Sequence, residues 1–183
     1  MKIINMAVLV LVLFLFGGCL TTNKNKKDKL RNIETYQLDL DNDMVSELIE
    51  VENRFLTRGD ILIKITKPTR KKDEGPKVFN FSISGQLSKV EFVDMDCNGS
   101  KQMLIYYDTA NNFMHLVIYK FKNDKVSQIF LANSNCDIET DFTTVPRVKI
   151  AKNINGERDC SRTPRGNEWE SWAWDGEKFV KEQ

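Results

Sequence analysis

The sequence predicts an all-β domain built from antiparallel, repeated strand units. Its short apolar segments alternate with polar residues at a period of two, which is the pattern of half-buried strands. A turn rich in aspartate and asparagine recurs after 55 residues, and each copy runs into an apolar segment. Long segments with helical spacing are absent after the apolar N-terminus. These observations favour sheets over a helical fold.

The first 18 residues have the features of an export signal. Lys2 supplies a positive start, residues 3–16 are almost entirely apolar, and the pair Gly17-Gly18 offers the small residues that a signal peptidase needs. A membrane-spanning helix is the competing interpretation, but it requires about 20 apolar residues and this run is shorter. We therefore predict a signal peptide over residues 1–18.

The residue after the two glycines is Cys19, and the segment LFGGC resembles the lipobox of bacterial lipoproteins. The resemblance implies that Cys19 becomes the acylated first residue of the mature chain, although Phe16 stands where the motif usually has leucine. Because each buried methylene contributes about 0.8 kcal/mol, two or more acyl chains hold a protein at a bilayer. Leu20 follows the cysteine, and similarity to enterobacterial sorting then implies the outer membrane in a diderm cell. An ordinary secretory signal is the alternative.

The rest of the chain is long enough for one domain with a core. Residues 24–31 (KNKKDKLR) are basic, and we predict a flexible tether over residues 19–32 and a β-repeat domain over residues 33–183. The tether is either a solvated spacer or a contact with anionic head groups. The formal net charge of +1 does not indicate a nucleic-acid partner.

Three cysteines remain once Cys19 is assigned to the lipid anchor. Cys136 and Cys160 lie in the polar C-terminal half, and we predict a disulfide between them. Cys97 lies inside an acidic turn that a bridge would distort. Three unpaired thiols are the alternative.

The acidic turn occurs twice. Loop one comprises residues 39–47 and loop two comprises residues 94–102, and both carry oxygen-bearing side chains at the first, third, fifth and ninth positions. These candidate metal ligands are Asp39, Asp41, Asp43 and Glu47 in loop one, and Asp94, Asp96, Asn98 and Gln102 in loop two. A third, degenerate copy is predicted where Asn153, Asn155 and Gly156 keep the rhythm without carboxylates.

The segments between these turns predict strands. The predicted strands cover residues 61–65, 79–83, 116–121 and 126–131. Residues 67–76 predict an exposed loop, and Asn123-Asp124 predicts a turn. Asp175-Gly176 lies between apolar positions and predicts a hairpin.

Oxygen atoms at alternate positions of a tight loop converge on one point. This arrangement suits calcium, a hard ion that takes about 6–8 oxygen ligands, and a backbone carbonyl of Val45 or Ser100 is expected to join the set. An EF-hand is excluded because Met44 replaces its glycine, Ile105 replaces its last glutamate in loop two, and both loops lead into strands. An Asx-type turn that holds no ion is the alternative.

Loop two, with Asp94-x-Asp96-x-Asn98-Gly99 before Gln102 and an apolar run, resembles the DxDGDGxxDLlv turn of FG-GAP/VCBS repeats. These repeats are the blades of integrin α-type β-propellers, and loop one is an imperfect second match. The resemblance covers roughly residues 36–131. It implies calcium-binding loops, propeller-blade-like sheets and a role in adhesion or ligand binding. Loop one lacks the glycine, however, and loop two has only two acids among its candidate ligands.

A closed propeller is not expected at this chain length, because closure takes about 4–8 four-stranded blades. The sequence predicts two clear blades and a partial third. An open stack of blades, a sandwich-like pair of sheets and part of an oligomer all remain open.

Three tryptophans lie close together near the C-terminus. Trp172 and Trp174 share one strand face, whereas Trp169 points the other way and is the candidate ligand contact. A glycan-stacking platform and a core-closing hairpin are the two interpretations, and the second is favoured because large aromatic residues usually fill cores.

The sequence does not indicate an enzyme. His115 is the only histidine, and no catalytic triad or zinc site can be assembled around it. We therefore predict a lipid-anchored protein of the bacterial envelope that binds a protein or a polysaccharide, with Ca²⁺ as its expected ion. The alternatives are a structural or accessory lipoprotein without metal, and a cell-wall glycan hydrolase, which needs two acids at catalytic distance.

Overall fold

A computed structural model describes residues 31–54, 59–71, 73–109, 113–151 and 168–183. The twelve strands within these ranges form three antiparallel sheets of four strands each, and none of the sheets closes into a barrel. The all-β, antiparallel prediction is therefore confirmed. In this part of the chain no helix has the length and apolar character needed to span a bilayer. The predicted signal peptide and nearly all of the predicted tether lie outside the described residues.

Each sheet is formed by four strands in chain order. The first sheet contains β1 (Arg31–Leu38), β2 (Glu47–Arg54), β3 (Asp60–Lys67) and β4 (Lys77–Ser84). The middle sheet contains β5 (Gln86–Val93), β6 (Gln102–Asp108), β7 (Met114–Lys122) and β8 (Lys125–Ser134). The last sheet contains β9 (Ile138–Asp141), β10 (Arg147–Ala151), β11 (Trp169–Trp174) and β12 (Phe179–Lys181). The first strand begins two residues before the predicted domain boundary at residue 33.

The alternating sequence pattern places one face of the first sheet in a core. Along β2, Ile49 and Val51 are buried, and in β3 they face the buried residues Ile65 and Ile63. The residues between them reach the other face, where Lys64 pairs with Glu50 at 2.6 Å. The outer face of this sheet is therefore solvated, as the end of a stack requires.

The middle sheet is covered on both faces. Its residues Ile105 and Val117 belong to a core shared with the first sheet, whereas Leu104 and Ile118 belong to a second core shared with the last sheet. Burial on both faces explains why residues 102–105 are buried without alternation. The last sheet ends the stack, because its other face carries charged residues such as Glu139 and Lys149.

The predicted third copy of the acidic loop does not occupy the expected place in the fold. Loop one joins β1 to β2 and loop two joins β5 to β6, so the corresponding connection in the last sheet is residues 142–146. The segment 153–156 follows β10 instead and lies outside the described residues. The prediction was wrong in position because an Asn/Gly rhythm is common to turns of any kind, and residues 142–146 contain no carboxylate that marks them.

The predicted turns are confirmed. Asn123 and Asp124 both have positive φ, at 52° and 56°, as a two-residue hairpin of type I′ requires. In the last hairpin, Asp175 Oδ1 accepts hydrogen bonds from the backbone N–H groups of Glu177 and Lys178, both at 2.9 Å. Gly176 adopts a φ of 104° between them.

Two substitutions in one strand test whether the middle sheet supports both cores. Leu104→Ala and Ile105→Ala are each expected to lower the free energy of unfolding by about 2–5 kcal/mol, because each empties a fully buried position in a different core. Leu131→Ala is the matched control in the same sheet; its side chain is 49% exposed, and the expected change is within about 0.5 kcal/mol. Urea unfolding measures all three. A near-neutral result for either buried position would contradict the two-core arrangement.

Candidate cation site in the paired acidic loops

The first residue of each acidic loop closes the loop on itself. Asp39 accepts hydrogen bonds from the backbone N–H groups of Asp43 (3.2 Å) and Met44 (2.7 Å). Asp94 accepts the corresponding bonds from Asn98 (3.1 Å) and Gly99 (2.7 Å). The two loops thus have the same hydrogen bonds at the same relative positions, which supports the internal repeat at atomic detail.

The fifth position repeats this correspondence. Asp43 Oδ1 accepts the N–H of Val45 at 2.9 Å, and Asn98 Oδ1 accepts the N–H of Ser100 at 2.8 Å. These contacts are Asx turns, in which a short polar side chain satisfies nearby backbone donors. The loops therefore hold their shape through protein contacts.

The ninth position of each loop is fully buried. Glu47 Oε2 accepts the N–H of Leu40 at 2.7 Å, and Gln102 Oε1 accepts the N–H of Met95 at 2.8 Å. Burial is the main reason why the pKa of Glu47 is raised above its usual value, although the bond from Leu40 opposes the shift. The nearby Asp41 carboxylate raises this pKa further.

The two loops also contact each other across the first and middle sheets. Asn42 Nδ2 donates to the carbonyl of Asn98 at 2.8 Å, and Lys101 N–H donates to the carbonyl of Leu40 at 2.9 Å. Gly99 lies at this contact with a φ of 88°, and a Cβ there would meet Asn42 Cγ at 2.6 Å. Met44 takes the equivalent place in loop one with a φ of 68°, and its side chain is 91% exposed. The glycine is therefore needed only where the loops touch.

The sequence analysis missed a lysine that enters loop one. Lys67 Nζ lies 2.7 Å from Asp41 Oδ2, 2.6 Å from Asp43 Oδ2 and 3.6 Å from Glu47 Oε1. The β2–β3 register places it there, since Leu48 pairs with Thr66 and Lys67 therefore lies beside Glu47. Its ammonium group is at the point where the loop-one oxygen atoms converge.

The contacts of Lys67 shift two pKa values. Burial by itself lowers the pKa of Lys67, but hydrogen bonds to Asp41 and Asp43 outweigh burial and hold this pKa above its usual value. The same ammonium holds the pKa of Asp43 below its usual range. Loop one is thus ionised at neutral pH with a cation already among its carboxylates.

An equivalent lysine serves loop two. Lys120 Nζ lies 3.0 Å from Asp96 Oδ2, because Met103 pairs with Tyr119 in the β6–β7 register and brings Lys120 beside Gln102. The lysines are 53 residues apart, and each one follows the ninth position of its loop by about one hairpin. This recurrence is the signal by which the sequence could have revealed them.

Each ammonium group also lies over an aromatic ring of the next sheet. Lys67 Nζ is 5.5 Å from the ring centre of Phe121 in the middle sheet, and Lys120 Nζ is 5.9 Å from the ring of Trp174 in the last sheet. Trp174 Nε1 donates to Asp96 Oδ1 at 2.6 Å. The acidic loops are therefore linked to the neighbouring sheet through a lysine and a ring.

Loop one retains unused oxygen atoms that suit a divalent cation. Carboxylate oxygen atoms of Asp39, Asp41 and Asp43 lie within 4.8 Å of one another. Asp41 Oδ1 and Glu47 Oε1 are buried and have no hydrogen-bond donor among the described residues. A group of hard, anionic oxygen atoms of this kind fits calcium, and the four carboxylates of loop one exceed the single charge of Lys67.

Loop two fits a metal ion less well. Both oxygen atoms of Asp96 already accept hydrogen bonds, from Lys120 and Trp174. Because Gln102 Oε1 is bound to the N–H of Met95, its Nε2 donor occupies the place that Glu47 Oε1 has in loop one. An N–H donor at that place repels a cation. Calcium binding by Asp94, Asp96, Asn98 and Gln102 stays a prediction, with less geometric support than loop one.

A cleft of about 570 Å³ opens beside Lys67. It lies between loop one, the β3–β4 connection and the β7–β8 hairpin, and its lining is mostly polar and charged. Lys77 crosses this region and pairs with Asp124 at 2.6 Å, while Arg70 donates to the carbonyl of Asp43. The cleft therefore offers both donors and acceptors for a polar partner.

The other predicted site residues lie away from the loops or outside the described residues. Cys136 is disulfide-bonded and Cys97 is free and exposed. Its pairing with Cys160 stays a prediction, because Cys160 and the predicted lipidation site Cys19 are outside the described residues. Trp169 is half-buried and takes part in contacts of its own, so an exposed ligand contact there stays a prediction.

The remaining aromatic residues have structural roles. Trp172 and Trp174 both pack into the second core, as their shared strand face predicts. His115 stacks on Tyr107 with ring centres 4.8 Å apart, and burial lowers the pKa of His115. Its ring nitrogen Nε2 contacts Thr109 Oγ1 at 3.3 Å. These contacts are those of a residue that packs on a sheet surface.

Comparisons with protein-family models, with curated proteins and with solved structures found no match to this chain.

The raised pKa of Glu47 predicts a pH-dependent difference between two variants. The folded protein binds a proton at Glu47 more tightly than the unfolded chain does, so ionisation of Glu47 opposes folding as pH rises past 4.5. In the presence of chelator, Glu47→Gln should therefore gain stability relative to the parent protein between about pH 4 and pH 7. Gln102→Glu, at the matched position of loop two, should lose stability over the same range. Urea unfolding at several pH values measures both trends, and pH-independent differences would contradict the burial effect.

Proposed function

We propose that this chain is a lipid-anchored, non-catalytic binding module of the bacterial envelope, built from propeller-blade-like repeats. The three stacked four-stranded sheets and the two matching loops support the repeat interpretation. Both ends of the stack present charged faces, which is consistent with an open stack of three blades. The lipobox-like segment before Cys19 supports attachment to a membrane.

We also propose that loop one binds calcium and that the ion stiffens the end of the stack that carries both loops. The observation that carries this proposal is the pair of buried oxygen atoms, Asp41 Oδ1 and Glu47 Oε1, that lack donors among the described residues. An unsatisfied buried oxygen costs about 1–3 kcal/mol, and more when it is charged, so a bound cation would recover this free energy. Asp39, Asp41, Asp43 and Glu47 would hold the ion.

The cleft beside loop one is the proposed partner surface. Its mixture of ammonium, carboxylate and amide groups suits a polar partner, either a polysaccharide or a charged protein segment. The acids nearby are engaged by backbone N–H groups and by Lys67, so they have structural partners rather than the freedom that acid–base catalysis requires. A binding role therefore accounts for this region better than a glycan hydrolase does.

A structural envelope lipoprotein without metal is the second candidate. The observation that favours it is the ammonium group in each loop, since Lys67 and Lys120 supply positive charge without an ion. In that case the loops serve only as rigid turns, and the partner is another envelope component.

Calcium should stabilise the protein through loop one. If the dissociation constant is about 1 mM, as in extracellular modules, 10 mM calcium adds about 1.4 kcal/mol and raises Tm by about 3–6 °C. Glu47→Gln should abolish this rise, because it removes one of the two unsatisfied oxygen atoms. Asp94→Asn in loop two is the matched control and should retain it. Thermal melts with calcium and with chelator make the measurement, and identical melts of the parent protein would favour the metal-free candidate.

The lipid anchor is tested separately. Expressed in a bacterium that acylates lipoproteins, the parent chain should fractionate with membranes and take up labelled fatty acid. Cys19→Ser should do neither, because the serine hydroxyl cannot replace the thiol that is acylated. Cys97→Ser, at an exposed free cysteine, is the control and should behave like the parent chain. Membrane retention of Cys19→Ser would contradict the anchor.

A further inference from the structure

Loop one and the lysine that enters it suggest how calcium binding is controlled. We infer that Lys67 is a tethered cation that competes with calcium for loop one, so that the ion and the Lys67 ammonium are mutually exclusive occupants. This inference rests on the proposed calcium site and adds its regulation.

The first argument is geometric. Lys67 Nζ contacts two of the four proposed ligands at 2.6–2.7 Å and lies 3.6 Å from a third. A calcium ion needs those oxygen atoms at about 2.3–2.6 Å, and it cannot take them while an ammonium group lies between them. Two positive charges at one point also repel each other strongly, because the Lys67 side chain is only 11% exposed and solvent screens it poorly.

The second argument comes from the repeat itself. The two loops that carry acids have a lysine at the same place, and the last sheet lacks both features. Ala173 follows Lys120 by 53 residues, the same spacing that separates Lys120 from Lys67. The β10–β11 register places Ala173 opposite Arg147, the residue that begins β10 as Glu47 begins β2. The lysine therefore accompanies the acidic loop and acts as its counter-charge.

The third argument is the route that the ammonium group has when it leaves the loop. Asp124 Oδ1 lies 3.8 Å from Lys67 Nζ, on the wall of the cleft and in the middle sheet. When calcium occupies loop one, Lys67 is expelled towards Asp124, which then competes with Lys77 for the same carboxylate. Calcium thus changes the charge pattern of the cleft as well as the rigidity of the loop.

Loop two does not share this control. Its ninth residue directs an N–H donor towards the cation position, and Asp96 is bonded on both oxygen atoms. Lys120 is therefore a permanent counter-charge, whereas Lys67 is exchangeable. The pair provides an internal comparison for the experiment.

The test is calcium binding to the full-length chain in detergent micelles, measured by isothermal titration calorimetry. Lys67→Met keeps the apolar stem without the charge and should bind calcium at least about tenfold more tightly than the parent chain. Lys120→Met is the matched control and should leave the affinity of the parent chain unchanged. Equal affinity for the parent chain and Lys67→Met overturns the competition but leaves the calcium site standing. If neither binds calcium up to about 10 mM, the calcium site and the competition both fail.

A second measurement does not depend on the folding of a variant. The parent chain is treated with a lysine-acetylating reagent, and peptides containing Lys67 and Lys120 are quantified by mass spectrometry. Calcium should increase acetylation of Lys67 several-fold and leave that of Lys120 unchanged, relative to sodium chloride at the same ionic strength. Acetylation of Lys67 that is insensitive to calcium overturns the inference.

Discussion

Crowded carboxylates at one end of the sheet stack require a positive charge, and much of the site follows from that requirement. Asp41 and Asp43 are held close together by Asx turns that leave them no freedom to separate. Their repulsion is offset by Lys67, whose ammonium group reaches both of them. The balance extends to the next sheet, because the face of the Phe121 ring also lies near this cation. Local loop shape, charge and sheet stacking are thus linked by one group.

The two loops amount to a natural substitution experiment within one chain. Their backbones have the same hydrogen bonds, yet Asp43 and Glu47 in loop one correspond to Asn98 and Gln102 in loop two. The substitutions remove two charges without changing the shape, since an amide oxygen accepts the same backbone N–H as a carboxylate. What changes is the second atom of the ninth side chain, which is an acceptor in Glu47 and a donor in Gln102. Cation preference therefore differs between loops of equal geometry.

The stack of sheets explains why three units suffice. The middle sheet supplies apolar residues to two cores, and the outer sheets turn charged faces to solvent. An array of this kind needs no ring closure, because each unit requires only its neighbours. The loops lie on the same side of the first and middle sheets and touch through Asn42 and Gly99, so packing of the sheets brings together segments far apart in sequence.

The sequence by itself determined the strands, their turns and the shape of the two loops. These features depend on residues close to one another along the chain: the alternation at Ile49 and Val51, the positive φ at Asn123, and the backbone donors near Asp39 and Asp94. The tertiary structure alone decided which cation meets the acids. Lys67 comes 20 residues after Glu47, and only the strand register places them side by side. It also decided which connection of the last sheet corresponds to the acidic loops, because that correspondence follows strand order and no carboxylate marks it. Local hydrogen bonds and periodicity can be derived from neighbouring residues, whereas a charge contributed by another strand depends on how the strands pair.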